Sequence, residues 1–113
     1  MLDAAPSVIR RYFEFDAQRD IDSLVELFTA DATVVDDGVS RHGTAEIGAW
    51  QSGQASEYTY TKTVLGSESV AADRYLVTAR LEGNFPGGTA DLRYEFSIEG
   101  DRISHLIIAP LAS

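Results

Sequence analysis

The chain is 113 residues long, 44% hydrophobic and 24% charged, which suits one domain over residues 1–113 with a core large enough to fold without disulfides or metal. It has no cysteine, so thiol catalysis, cysteine-ligated zinc and iron–sulfur clusters are excluded. Nine Lys+Arg stand against 18 Asp+Glu, a net charge of −9. The arginines are scattered and Lys62 is the one lysine, so neither nucleic acid nor an anionic membrane is an expected partner.

The opening residues lack a basic start and a signal-length apolar run, and no window approaches the ~18 apolar residues of a membrane span. A cytoplasmic protein is the expectation. A first helix is expected over residues 4–17, with Pro6 in its first turn and Val8, Ile9, Tyr12 and Phe13 as its apolar stripe. Asp16 falls inside that stripe. An aspartate there is costly to bury unpaired, so three readings stay open: the helix frays and Asp16 reaches water, Asp16 caps the turn toward Asp20, or it lies in a pocket.

Asp20 suits the N-cap of a second, short helix carrying Ile21, Leu24, Val25 and Phe28. Residues 32–35 read as a brief strand, and Asp36-Asp37-Gly38 as a turn. A third helix follows Gly43, with Thr44 as N-cap, Glu46 complementing the N-terminus, Ile47 and Trp50 facing inward, and Ser52-Gly53 as its stop.

The second half alternates as strands. A long strand spans residues 58–71 with a bend or bulge at Gly66. Ala72-Asp73-Arg74 turns it into a strand bearing Tyr75, Val77, Ala79 and Leu81. A loop over residues 84–88 leads to a strand bearing Leu92, Tyr94, Phe96 and Ile98. Glu99-Gly100-Asp101 then turns into a last strand over residues 102–109. Helices first and strands after imply an α+β fold, with helices on one face of a largely antiparallel sheet.

No phosphate loop, nucleophile elbow or HExxH motif is present. His42 and His105 are too isolated to indicate a metal site. His42 suits an ordering role before the third helix, and His105 the outer sheet face. Trp50 and Phe85 suit core or pocket wall.

The Tyr12-to-Asp36 block, above all Leu27-Phe28-Thr29-Ala30-Asp31-Ala32-Thr33-Val34, resembles the nuclear transport factor 2-like superfamily. So do His42-Gly43-Thr44 leading to Ile47 and Trp50, and Phe96-Ser97-Ile98-Glu99-Gly100-Asp101-Arg102-Ile103. The likeness is nearest to the SnoaL-like polyketide cyclase and ketosteroid isomerase branch. It implies a cone in which a curved sheet, mixed at the first strand, wraps three helices and leaves a mostly apolar pocket. It further implies a tyrosine donor at Tyr12 and a base at Asp36, with Tyr94 near the position of the branch's protonated aspartate, which this chain lacks. Asp37 stands where the isomerases carry proline, and the loop to His42 is shorter.

The expected activity is proton transfer next to a carbonyl on a small apolar or carbonyl-containing ligand, without a cofactor or metal. Asp36, Tyr12 and Tyr94 are the candidate catalytic residues. Asp16, Val34, Trp50, Val77, Phe96, Leu106 and Ile108 are the candidate pocket lining. Each also has a plain structural reading: Tyr12 at a core edge, Asp36 in a turn, Tyr94 packing on a strand. A binding module without catalysis, or an oligomerisation domain, is the competing expectation. A homodimer is expected through an outer sheet face of Leu76, Thr78, Arg80, Arg93, Glu95, Ser97, Ser104 and His105.

Overall fold

The computed structural model describes residues 6–36, 38–57, 60–84 and 87–110, without the side chains of residues 54–57. Three helices, α1 (Ser7–Gln18), α2 (Ile21–Val25) and α3 (Thr44–Glu57), accompany six strands. These are β1 (Phe28–Asp36), β2 (Val39–His42), β3 (Tyr60–Ala71), β4 (Arg74–Gly83), β5 (Thr89–Glu99) and β6 (Arg102–Pro110). They form one open sheet in the order β2-β1-β6-β5-β4-β3. Every pairing is antiparallel except β1 with β6. The fold is therefore the α+β, mixed-sheet cone expected from the sequence. No helix among the described residues is long and apolar enough to cross a membrane.

Local chemistry sets the element ends. Pro6 occupies the N-cap of α1 rather than its first turn. The Asp20 carboxylate caps α2 by accepting from the Ser23 N–H at 3.3 Å. The second helix stops at Val25, and Phe28 opens β1 instead of closing the helical stripe. The cause is tertiary: Leu27 C=O accepts from the Ile103 N–H at 2.8 Å, and Phe28 pairs with Ile103 on the sheet. The hairpin that adds β2 was not legible as a strand, since its four residues are mostly exposed and not apolar in alternation. Gly43, at φ +84°, turns β2 into α3. Glu46 accepts from the His42 N–H at 2.9 Å, which satisfies a donor ahead of the helix. α3 runs through the expected Ser52-Gly53 stop to Glu57. Ala4, Ala5, Asp37, Tyr58 and Phe85, which the sequence reading assigned to a helix, a turn, a strand and a wall, lie outside the described residues.

The strands bury alternate residues on the helix side: Val77 and Ala79, Tyr94 and Phe96, Leu106 and Ile108. β3 breaks register between Val64 and Gly66, where the bend was expected. Another irregularity, on β6, lies opposite Ser97 and Ile98. It makes Ser104 an extra residue in the ladder, its hydroxyl donating to Ser97 C=O at 3.2 Å. Ser104 is thus a bulge residue rather than a regular member of the outer face.

Core energetics centre on aromatics from α1 meeting aromatics from β5. Tyr12 packs edge-on against Phe28 (6.2 Å), Phe96 (5.4 Å) and Tyr94 (6.3 Å), and Phe13 against Tyr94 at 5.2 Å. Such pairs contribute ~0.5–1.5 kcal/mol each beyond burial of their area. This cluster fixes α1 over the sheet and, with it, the direction of Asp16 one turn beyond Tyr12.

Candidate active site

Sheet register brings the site together. Asp36 pairs with Ile108, Ile108 with Tyr94, and Tyr94 with Val77, so these four form one rung across β1, β6, β5 and β4. Paired residues share a face, and all point toward the helices. Strands are ~4.8 Å apart, so the Asp36 and Tyr94 backbones are roughly 10 Å apart, a gap that their side chains and a small group can fill. α1 closes the space from above with Tyr12 and Asp16, which lie four residues apart on one helix face. α3 closes its side with Trp50 and Gln51.

The result is an inner cavity of about 40 Å³ bounded by Tyr12, Asp16, Asp36, Trp50, Gln51, Tyr60, Lys62, Leu81, Leu92, Tyr94 and Ile108. Asp36 is half-buried at the end of β1, and its Oδ2 accepts from the Trp50 indole N–H at 2.9 Å. Tyr12 is 1% exposed and Tyr94 2%. Burial pushes the Tyr12 phenol well above its ordinary value, with the Asp16 carboxylate adding to the rise. Burial also raises Tyr94, although Lys62 opposes it. Both phenols therefore hold their protons and can act as hydrogen-bond donors.

The centre of the site is an ion pair that sequence reasoning did not identify. Lys62 Nζ lies 2.7 Å from Asp16 Oδ2. Gln51 Nε2 donates to Asp16 Oδ1 at 3.3 Å. The ammonium also lies 5.0 Å from the Tyr94 ring centroid, 5.7 Å from Phe13 and 5.9 Å from Tyr60, within the range of cation–π attraction. Burial by itself would lower the Lys62 pKa. Tyr94 where it ionises, the Asp16 carboxylate and Tyr60 where it ionises outweigh it, and the net direction is up. Lys62 is thus a fixed cation rather than a neutral amine nucleophile.

A second, larger cavity of about 310 Å³ opens beyond this pair, bounded among others by Phe13, Phe15, Arg19, Ile21, Leu24 and Val64. The two cavities share Asp16, Gln51, Tyr60 and Lys62 as a common wall. Arg19 caps α1 in the left-handed conformation at φ +58°, which carries its side chain to this outer cleft.

Residues 9–105 match the SnoaL-like domain. The chain belongs to the SnoaL-like domain family. Among solved structures, a proposed polyketide cyclase from Sinorhizobium meliloti is 34% identical, with a TM-score of 0.90 over 96% of this chain and 99% of that one. A protein of ketosteroid isomerase-like fold from Catenulispora acidiphila, solved with trimethylamine, is 19% identical, with a TM-score of 0.82 over 92% of this chain and 85% of that one. TerC, co-crystallised with polyporic acid, is 14% identical, with a TM-score of 0.81 over 93% and 89%. The last two likenesses concern the fold alone. No curated protein gives a significant match.

Within this SnoaL-like chain, Tyr12, Asp36, Tyr94, Asp16, Trp50 and Ile108 meet on the inner cavity. Of the three readings of Asp16, the structure takes the pocket. Val34, Val77, Phe96 and Leu106 are each 0% exposed and border neither of these two cavities. They are core rather than pocket wall, because Tyr12 and Phe13 fill the narrow end of the cone and pack directly on Phe96. The pocket is also less apolar than expected, since an ion pair spans it. The His42 ring lies 2.9 Å from the Thr33 hydroxyl beside α3, and His105 pairs with Thr33 and Ser97 on the sheet. Lys62 and Gln51 are the residues that sequence reasoning missed. For Lys62 a signal existed: Tyr60, Lys62 and Val64 share one strand face, and the exposed Thr61, Thr63 and Leu65 share the other.

Proposed function

We propose that the chain is a small-molecule enzyme of isomerase or cyclase type, moving a proton next to a carbonyl. Asp36 acts as the base. It takes a proton from the carbon beside the carbonyl, and the electron pair moves onto the carbonyl oxygen. The protonated Tyr12 and Tyr94 phenols donate to that oxygen as charge develops, and Asp36 returns the proton at the product carbon. These steps need no cofactor. The observation that carries the reading is the meeting of Asp36, held by Trp50, with two buried phenols on one small cavity. The 34% identical structure of a proposed cyclase agrees with it.

Deuterium exchange of 2-tetralone in D₂O, followed by NMR, tests the proposal on a simple bicyclic ketone. The protein should accelerate exchange beside the carbonyl. Asp36→Asn should abolish the acceleration, and Tyr12→Phe should lower it by on the order of tens- to thousands-fold. An Asp36→Asn protein that exchanges at the original rate removes Asp36 as the base. The competing reading is a module that holds a ligand in the outer cleft without transforming it. The small inner cavity favours this reading, since it leaves the body of any ligand outside.

A further inference from the structure

The ion pair, the aromatic rings and the outer cleft together define a recognition site. We propose that Lys62 recognises the carboxylate of an aromatic ligand whose body fills the outer cleft. This deepens the proton-transfer reading and rests on it only for what happens after binding.

Three observations carry the inference. First, charge: in a chain of net charge −9, the described residues that border this cleft include the cations Lys62 and Arg19 and the carboxylate Asp16. Lys62 is also the chain's one lysine. An unselected cleft on so acidic a surface would be acidic. Second, shape and surface: at about 310 Å³ the cleft sits at the low end of the ~300–1,000 Å³ usual for ligand pockets. The Phe13, Phe15 and Tyr60 side chains border it, and aromatic walls favour a flat, conjugated guest. Third, placement: Lys62 borders both cavities, so an acid oxygen on its ammonium directs the adjoining carbon toward Tyr12, Tyr94 and Asp36. An ammonium has three donors; Asp16 takes one at 2.7 Å and the Tyr94 hydroxyl oxygen takes another, which leaves a third for a guest. Asp16 and Gln51 hold the cation in place, and an anionic guest shares it. A cationic guest would meet an aromatic cage that Lys62 already fills.

Calorimetric titration with 2-naphthoate and its uncharged counterpart 2-naphthamide tests this. The wild-type protein should bind the naphthoate about tenfold or more tightly than the amide, as charge-assisted hydrogen bonds are roughly twice as strong as neutral ones. The Asp16→Asn/Lys62→Gln double variant keeps a hydrogen bond between the two side chains without charge. It should bind the two probes alike, and its circular dichroism spectrum and urea midpoint report whether the fold is intact. Equal affinities in the wild type, no naphthoate binding, or a preference that survives in the double variant would each overturn the proposal. So would tighter binding of benzyltrimethylammonium than of naphthoate. Failure of the proton-transfer reading is separate: it is read from exchange by Asp36→Asn and leaves the naphthoate titrations standing.

Discussion

Lys62→Met is the most informative single perturbation of stability. Methionine keeps most of the stem that lies against Phe13, Tyr60 and Tyr94 but loses the charge. The Asp16 carboxylate, whose side chain is 12% exposed, is then left with the Gln51 amide at 3.3 Å as its described partner. Removing one member of an enclosed ion pair costs ~3–5 kcal/mol, because the other charge stays desolvated without compensation. A domain of this size has ~5–15 kcal/mol in all, so the variant should stand close to unfolding. Urea titration can be followed by the fluorescence of Trp50, the only tryptophan. Its midpoint should fall by more than about 1 M. The Asp16→Leu/Lys62→Met double variant removes both charges and should recover most of the loss, since apolar replacement of a buried pair is often neutral or better. A single variant within ~1 kcal/mol of wild type would place the pair with solvated surface bridges. A double variant no better than the single one would show that the loss came from packing. Either result refutes the account of the ion pair.

Alkaline pH should destabilise the protein in one direction. Tyr12, Tyr60 and Tyr94 are all raised from their ordinary 10.0, and Lys62 from 10.5. Each binds its proton more tightly folded than unfolded, so its contribution is complete below about pH 10 and is lost as pH rises through the folded values; a urea midpoint unchanged between about pH 9 and pH 11 would contradict this. Trp50→Phe removes the indole donor to Asp36 and should slow 2-tetralone exchange about tenfold while the circular dichroism spectrum is kept. Asp20→Ala removes the cap of α2 and should cost ~1 kcal/mol in urea titration. The half-buried outer face carrying Leu76, Thr78, Arg93, Glu95, Ser97 and His105 is expected to pair two copies of the chain. Light scattering should then give a dimer mass for wild type and a monomer mass for Leu76→Glu.

The sequence revealed period more readily than partnership. Strands β4, β5 and β6 alternate cleanly because one face packs on helices and the other does not, so Val77, Tyr94, Phe96 and Leu106 declare themselves by spacing. The second helix was over-extended for the opposite reason. Phe28 fits the helical stripe of Ile21, Leu24 and Val25, yet its backbone is claimed by Ile103 from the far end of the chain. Local periodicity cannot register a ladder partner 75 positions away. β2 was invisible because a strand at the edge of the sheet, with three of its four residues exposed, has no apolar alternation to show.

The site divides along the same line. Asp36 and Tyr12 could be placed by a resemblance that spans them without a gap, and the rung from Asp36 through Ile108 to Tyr94 explains why they meet. Asp16 drew notice because an aspartate in an apolar stripe needs a partner, and the sequence did not say which. The partner was Lys62, 46 positions away, itself an anomaly of the same kind: a cation on the inward face of a strand between Tyr60 and Val64. Two misfits of opposite sign on two inward faces can satisfy each other. Such pairs cost desolvation that apolar residues would avoid. The pair borders both the inner cavity and the outer cleft, so the proposed carboxylate recognition and the stability of this region draw on the same two side chains.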